Sequence, residues 1–90
     1  MLDFVALLAE FFGTFLLIMS ILATGNALAV GATLALVIFL IGSLSGGHVN
    51  PAVSLAMFVN GSMTVAELLG YFAVQLLGGA LAVFVYKALA

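Results

Sequence analysis

The sequence predicts an all-α membrane protein with three transmembrane helices and one re-entrant half-helix. The first reason is composition, because 68% of the 90 residues are hydrophobic and 4% are charged, whereas a soluble domain carries roughly 25% charged residues. The second is that three apolar runs each approach the length of about 20 residues that crosses a hydrocarbon core. The third is a polar, glycine-rich stretch at residues 45–50, which contains the only histidine and directly precedes the only proline.

The first two spans are predicted over residues 4–22 and 28–44. Both consist almost entirely of apolar residues, and the second is slightly short for a membrane crossing unless it borrows flanking residues. Residues 23–27 separate them and contain the pair Gly-Asn, which is typical of turns. We therefore expect a tight connection between two antiparallel spans.

The third span is predicted over residues 64–88 and is long enough to tilt in the membrane. Its start carries a helix-initiation signal, because Thr64 is followed three residues later by Glu67. In such a capping box the threonine side chain accepts from the third helical N–H, and the acid accepts from the threonine N–H. Residues 59–63 are expected to form the loop before it.

Residues 45–58 do not fit a full span. The letters SGGH are a poor helix interior, whereas PAVSLAMF places Pro51 at a first helical position and is otherwise compatible with a helix. About eight residues at 1.5 Å each give roughly 12 Å, near half of the hydrocarbon thickness. Gly46 and Gly47 permit a sharp turn, and successive carbonyls of this loop can face one cavity as acceptors. The alternative is an ordinary surface loop followed by an interfacial helix.

A re-entrant segment indicates function, because irregular backbone at membrane depth is tolerated only where it is buried in protein or lines a wet cavity. With Pro51 at the first helical position, Asn50 is the N-cap, and its side-chain oxygen can accept from the N–H of Ala52 or Val53. Its amide nitrogen then stays free to donate outward. The half-helix also carries about half a positive charge at this end, which favours the oxygen of water or a polyol and repels cations.

The charged residues exclude several function classes. They are Asp3, Glu10, Glu67 and Lys87, so no basic patch exists for nucleic acid. The absence of cysteine excludes disulfides, and His48, with no acid or cysteine nearby in the sequence, does not predict a metal site. The start MLDF has an acid and no base, unlike a cleaved secretory signal. We predict a non-enzymatic protein without cofactors.

One half-helix cannot build a pore, since it leaves the other half of the membrane unfilled. Channels and transporters often solve this with inverted repeats. A chain of three spans has its ends on opposite sides of the bilayer, so a second copy inserted upside down would supply the missing half. Lys87 is the only basic side chain, and basic residues near span ends set orientation. The sequence thus favours neither orientation, and we hypothesise a dual-topology antiparallel homodimer.

Three segments resemble motifs of one membrane protein family. They are AEFFGTF at residues 9–15, SGGHVNPAVS at residues 45–54 and GYFAVQLLGGALA at residues 70–82. In this order they resemble the first span, first signature loop and third span of the major intrinsic proteins, the aquaporins and aquaglyceroporins. Members normally carry two such repeats, so this sequence resembles half an aquaporin. The resemblance implies a passive, multi-pass channel of the cell membrane for water or small neutral solutes such as glycerol, and by analogy with tetrameric relatives an assembly of four dimers.

The resemblance also implies roles for individual residues. The signature loop would contact the permeant through Gly46, Gly47, His48, Asn50, Pro51 and Ala52. The outer constriction would involve Val30, Ile38 and Val53 together with Gly47. The family's second repeat has an arginine at the position of Val53, so a homodimer would have an apolar and wide filter. Glu10 and Gln75 would support the loop from the first and third spans.

Other functions remain open at this point. Small proton-coupled exporters also form dual-topology dimers with a carboxylate in the first span, which Glu10 could imitate, although such exporters usually have more spans and no Asn-Pro half-helix. A non-conducting half-channel subunit would need a different partner. The chain could also be a fragment or truncation of a longer channel.

Overall fold

The computed structural model describes residues 2–90, and within them all regular secondary structure is helical. The elements in chain order are α1 (Phe4–Thr24), α2 (Ala27–Ser45), α3 (Pro51–Val59) and α4 (Val65–Leu89). Three of them, α1, α2 and α4, are long and apolar enough to cross a membrane. The predicted fold class, three spans with one short helix between the second and the third, is confirmed.

The connection between α1 and α2 is shorter than the sequence suggested. The Gly25 N–H donates to the Ile21 carbonyl at 3.0 Å, and its φ of 54° ends α1 in the left-handed conformation. Asn26 then caps α2 directly, since its side-chain oxygen accepts from the Ala29 N–H at 3.0 Å. Only Gly25 and Asn26 separate the two helices. α2 thereby gains a residue at each end and reaches 19 residues.

The half-helix α3 begins within the expected segment and ends at Val59, one residue beyond it and in the stretch expected to be loop. Asn50 is its N-cap and Pro51 its first residue, and nine residues at 1.5 Å each give roughly 14 Å. The last long helix, α4, begins with the predicted capping box. The Thr64 N–H donates to the Glu67 carboxylate at 2.8 Å, and the Glu67 N–H donates to the Thr64 hydroxyl at 3.1 Å.

Small residues bring the long helices together. α1 packs against both α2 and α4, and α3 packs against α4. At Gly78 α4 lies directly against the backbone of α1, because a Cβ there would lie 2.5 Å from the carbonyl oxygen of Phe11. At Gly13 a Cβ would lie 2.7 Å from a methyl group of Val49. Without side chains at these positions, the helix backbones and the loop before α3 approach each other closely.

The chain is apolar outside and partly polar inside. Large apolar side chains such as Leu28 and Phe39 are more than 80% exposed, and Val37 is the one buried residue of α2. By contrast, Glu10, Ser54 and Gln75 are the largest fully buried side chains. Lipid or a second protein surface, not water, is the medium that suits such an exterior.

The close approach at Gly78 predicts a large effect of one methyl group. Gly78→Ala should reduce the free energy of unfolding by about 2 kcal/mol, because the new Cβ overlaps backbone that cannot rotate away. Gly31→Ala is the matched control, since a Cβ there meets nothing within 4 Å and should change stability by less than about 1 kcal/mol. Denaturation in mixed detergent micelles, followed by circular dichroism, measures both. Equal effects of the two substitutions would contradict the packing argument.

Candidate functional site

The loop between α2 and α3 has an unusual backbone. Gly46, Gly47 and Val49 all have positive φ values, of 91°, 64° and 46°. A β-branched residue such as valine rarely adopts this conformation, and the strain costs on the order of 1–3 kcal/mol. Gly47 also lies against α2, where a Cβ would come within 3.3 Å of the Ile38 Cα. The surrounding structure must therefore hold this loop in place.

The carboxylate of Glu10 holds the loop from the middle of α1. It is completely buried and accepts four hydrogen bonds, two at each oxygen. The donors are the His48 N–H at 2.9 Å and the Ser45 hydroxyl at 2.6 Å to Oε2, and the Val49 N–H at 2.7 Å and Gln75 Nε2 at 3.0 Å to Oε1. All four donors are neutral, and an ionised carboxylate has about four acceptor positions. The acid thus satisfies two loop amides that would otherwise be buried without partners.

A second layer of polar side chains links α3 and α4 to the same loop. Gln75 Nε2 donates to Ser54 Oγ at 2.8 Å, and Ser54 Oγ lies 2.9 Å from His48 Nδ1. The Tyr71 hydroxyl donates to the Ser45 carbonyl at 2.7 Å, and its ring centroid lies 5.1 Å from that of His48. Every helix of the chain contributes to this network.

The network determines where the loop carbonyls point. The N–H groups of Gly47, His48 and Val49 are directed to Ser45 Oγ and Glu10. The described peptide bonds are all trans, and in a trans peptide the carbonyl points opposite to the N–H. The carbonyls of residues 46, 47 and 48 therefore point away from the buried carboxylate. Within residues 2–90 none of them accepts a hydrogen bond.

The tip of α3 opens onto a cavity of about 500 Å³. Asn50 Oδ1 accepts from the Ala52 N–H at 2.8 Å, as an N-cap does, and Nδ2 is left without a partner among the described residues. Apolar side chains of α1 and α4 form most of the remaining wall. Two buried polar atoms at this cavity, Thr14 Oγ1 and Gln75 Oε1, also have no partner among residues 2–90.

The residues singled out from the sequence fall into two groups. Those of the loop and its supports converge at the tip of α3: Glu10, Gly46, Gly47, His48, Asn50, Pro51, Ala52 and Gln75. Of the constriction residues, Ile38 lies against Gly47 and Val53 is half-buried on α3. Val30 lies two turns before Ile38, roughly 12 Å along α2. Residues 2–90 bring together no group of three acidic, histidine or cysteine side chains suited to a metal.

Sequence reasoning missed Ser54 and Tyr71, although a spacing signal existed. Ser54 follows Asn50 by four residues, and Tyr71 precedes Gln75 by four. Side chains four apart share a helix face, so each of these residues lies on the face that already carried a candidate. Thr14 follows Glu10 by four residues and carries the same signal, whereas only the tertiary structure connects Ser45 to Glu10.

Replacing the buried acid should release the loop. Glu10→Gln puts an amide nitrogen where an oxygen accepts two hydrogen bonds, which should cost about 3 kcal/mol. We expect hydrogen exchange of the His48 and Val49 amides to accelerate by about 100-fold, measured by NMR on the protein in detergent micelles. Glu67→Gln is the control, because Glu67 accepts only from Thr64 at the start of α4. Unchanged protection of both loop amides in Glu10→Gln would refute the supporting role.

Comparison with known proteins identifies the family. The sequence model described as major intrinsic protein matches residues 2–90. The chain is 39% identical to "Glycerol uptake facilitator protein-like 6" of Lactiplantibacillus plantarum, over 83% of this chain and 39% of that protein. It is 41% identical to "Aquaporin Z" of Brucella melitensis biotype 1, over 78% of this chain and 37% of that protein. The chain thus spans less than half the length of these curated relatives. It is an integral, multi-pass membrane protein that belongs to the major intrinsic protein family.

Proposed function

We propose that this chain forms a passive channel of the cell membrane for water and small neutral solutes such as glycerol. The observation that carries the proposal is the unpartnered Nδ2 of Asn50 at the N-terminus of a half-length helix. Family membership and relatives named for glycerol uptake and as an aquaporin support it. No covalent chemistry is assigned to any residue of the site, so the protein is not proposed to be an enzyme.

The polar groups of the loop suit a molecule that both donates and accepts hydrogen bonds. The carbonyls of Gly46, Gly47 and His48 are acceptors for its O–H groups, and Asn50 Nδ2 is a donor for its oxygen. Pro51 and Ala52 place this donor at the positive end of α3. That positive end disfavours a cation or hydrated proton at the same point, so the proposed permeants are uncharged.

A single copy would leave this path half built. The half-helix is roughly 14 Å long, against a hydrocarbon thickness of roughly 30 Å, and its first residues line the cavity together with α1 and α4. We propose that a second, inverted copy completes the path as an antiparallel homodimer, and that four such dimers associate by analogy with tetrameric family members. Thr14 and Gln75, with unpartnered polar atoms at the cavity, would then border the junction.

The constriction of such a homodimer would contain no arginine, because the chain has none. Val53 stands at the position of the family's arginine, and we place Val30 and Ile38 with it on the α2 side of the path. Without a guanidinium, no side-chain donor at the constriction competes with the permeant for the backbone carbonyls. The constriction is also wider. Glycerol as well as water is therefore within the proposed permeants.

A proton-coupled transporter using Glu10 is less well supported. All four hydrogen bonds to the carboxylate come from neutral groups of the loop and its supports, so the contacts of Glu10 are those of a supporting residue. A non-conducting half-channel subunit that requires a different partner remains the second candidate, and it predicts no flux from the purified chain.

Exchanging the donor at the helix tip tests the channel. Asn50→Asp keeps an oxygen for the Ala52 N–H but replaces the free donor with an acceptor, so water flux should fall about tenfold and cation leakage should rise. Stopped-flow light scattering of proteoliposomes measures water flux under a sorbitol gradient and glycerol flux under a glycerol gradient. Asn60→Asp, in the loop after α3, is the control and should conduct normally. Equal flux through wild type and Asn50→Asp would refute the donor role, and no flux from folded wild type would favour the half-channel subunit.

Orientation in the membrane tests the inverted pairing. The chain has no cysteine, so Ser62→Cys in the loop before α4 supplies a single labelling site. If both orientations are populated, a membrane-impermeant maleimide should label about half of the molecules from outside intact cells. Two arginines added after Lys87 should shift all chains to one orientation and abolish flux. Full flux from chains that all face one way would overturn the antiparallel homodimer.

A further inference from the structure

We infer that His48 is a specificity-determining group of this site, locked as the tautomer that carries its hydrogen on Nε2. The lock is set by a chain of hydrogen bonds that begins at Glu10 and runs through Gln75 and Ser54, which act as positioning residues. The consequence for permeation rests on the proposed channel, whereas the tautomer itself does not.

The carboxylate of Glu10 determines which atoms donate and which accept in this series of hydrogen bonds. Glu10 Oε1 can only accept, so the group of Gln75 that lies 3.0 Å away must be its amide nitrogen. The reverse orientation of the Gln75 amide would place two oxygens together with no hydrogen between them. The same nitrogen lies 2.8 Å from Ser54 Oγ, so its two hydrogens go to Glu10 and Ser54.

The donor and acceptor roles of Ser54 in turn determine the role of the His48 imidazole. Its oxygen accepts from Gln75, and its single hydrogen has His48 Nδ1 as the partner at 2.9 Å. If Nδ1 carried the hydrogen instead, the Ser54 hydroxyl hydrogen would be left without an acceptor in a completely buried position. A buried donor without a partner disfavours that state by about tenfold or more. Nδ1 is therefore the acceptor, and the ring hydrogen resides on Nε2.

Nε2 lies on the open side of the loop. A Cβ on Gly46 would come within 3.1 Å of it, Gly46 is exposed, and the His48 side chain is half-buried. Within residues 2–90 no group accepts a hydrogen bond from Nε2. The tilted ring of Tyr71 against the imidazole limits its rotation. The loop thus carries a second unpartnered N–H donor besides Asn50, next to the exposed Gly46.

The tautomer can be measured directly, because the chain contains one histidine. In protein labelled with ¹⁵N at histidine and reconstituted in lipid, we expect one signal typical of a protonated Nε2 and one typical of an unprotonated, hydrogen-bonded Nδ1. Ser54→Ala should reduce the population of this tautomer relative to the other by about tenfold. Ser54→Thr, which retains the hydroxyl, should restore it, and Ser62→Ala is the control outside the network. A protonated Nδ1 in the wild type, or an unchanged ratio in Ser54→Ala, overturns the lock.

Flux measurements test the role in permeation separately. His48→Phe keeps a ring against Tyr71 but removes the donor, and it should lower water flux by about three- to tenfold in proteoliposomes. Flux equal to that of the wild type would overturn the specificity role while leaving the channel intact. A locked tautomer in a wild-type protein that conducts nothing would refute the channel itself, and the specificity role with it. The NMR result and the flux result thus separate the two failures.

Discussion

The rest of this structure depends on the burial of one carboxylate among neutral donors. An ionisable side chain within a membrane span is costly unless it is partnered, and Glu10 meets that condition with four hydrogen bonds from three other elements of the chain. Because two of the donors are adjacent loop amides, the same bonds impose a backbone that would be strained on its own at Val49. The four hydrogen bonds offset the cost of burying the acid and hold the loop in this conformation.

The positions of the small residues follow from this constraint. The Val49 side chain can occupy its place only because Gly13, three residues after Glu10, leaves room for it. Gln75 can reach the carboxylate only if α4 approaches α1 closely, which Gly78 permits one turn later. The polar network and the helix packing therefore depend on each other. Gly13 lies within one turn of Glu10, and Gly78 lies within one turn of Gln75. This is why the centre of the chain is polar while its apolar side chains face outward.

Local chemistry explains which features could be predicted from the sequence. Span number, the half-helix and the capping box at Thr64 depend on apolar length, Pro51 and short-range caps, all of which lie within a few neighbouring residues. The boundary between α1 and α2 was set too wide because Asn26 is a side-chain cap, and a Gly-Asn pair by itself does not separate a two-residue turn from a longer loop. The four-residue spacing places Ser54 and Tyr71 on candidate faces, but their contacts, like that of Ser45, depend on how the helices are rotated against one another. The left-handed conformation of Val49 was beyond prediction from the residue type, since it opposes the preference of valine.

The hydrogen-bonding groups of the loop before α3 lie on two sides. On the inner side, the N–H groups of Gly47, His48 and Val49 donate to Ser45 Oγ and Glu10. On the outer side, three carbonyls, Asn50 Nδ2 and the proposed Nε2–H of His48 have no partner within residues 2–90. Such groups are stable at membrane depth only if water or another polar molecule reaches them. In the proposed inverted pair, two positive half-helix ends would lie at the same depth and disfavour a cation there, while the unpartnered loop carbonyls would disfavour an anion, so the two kinds of group together favour an uncharged molecule that both donates and accepts hydrogen bonds.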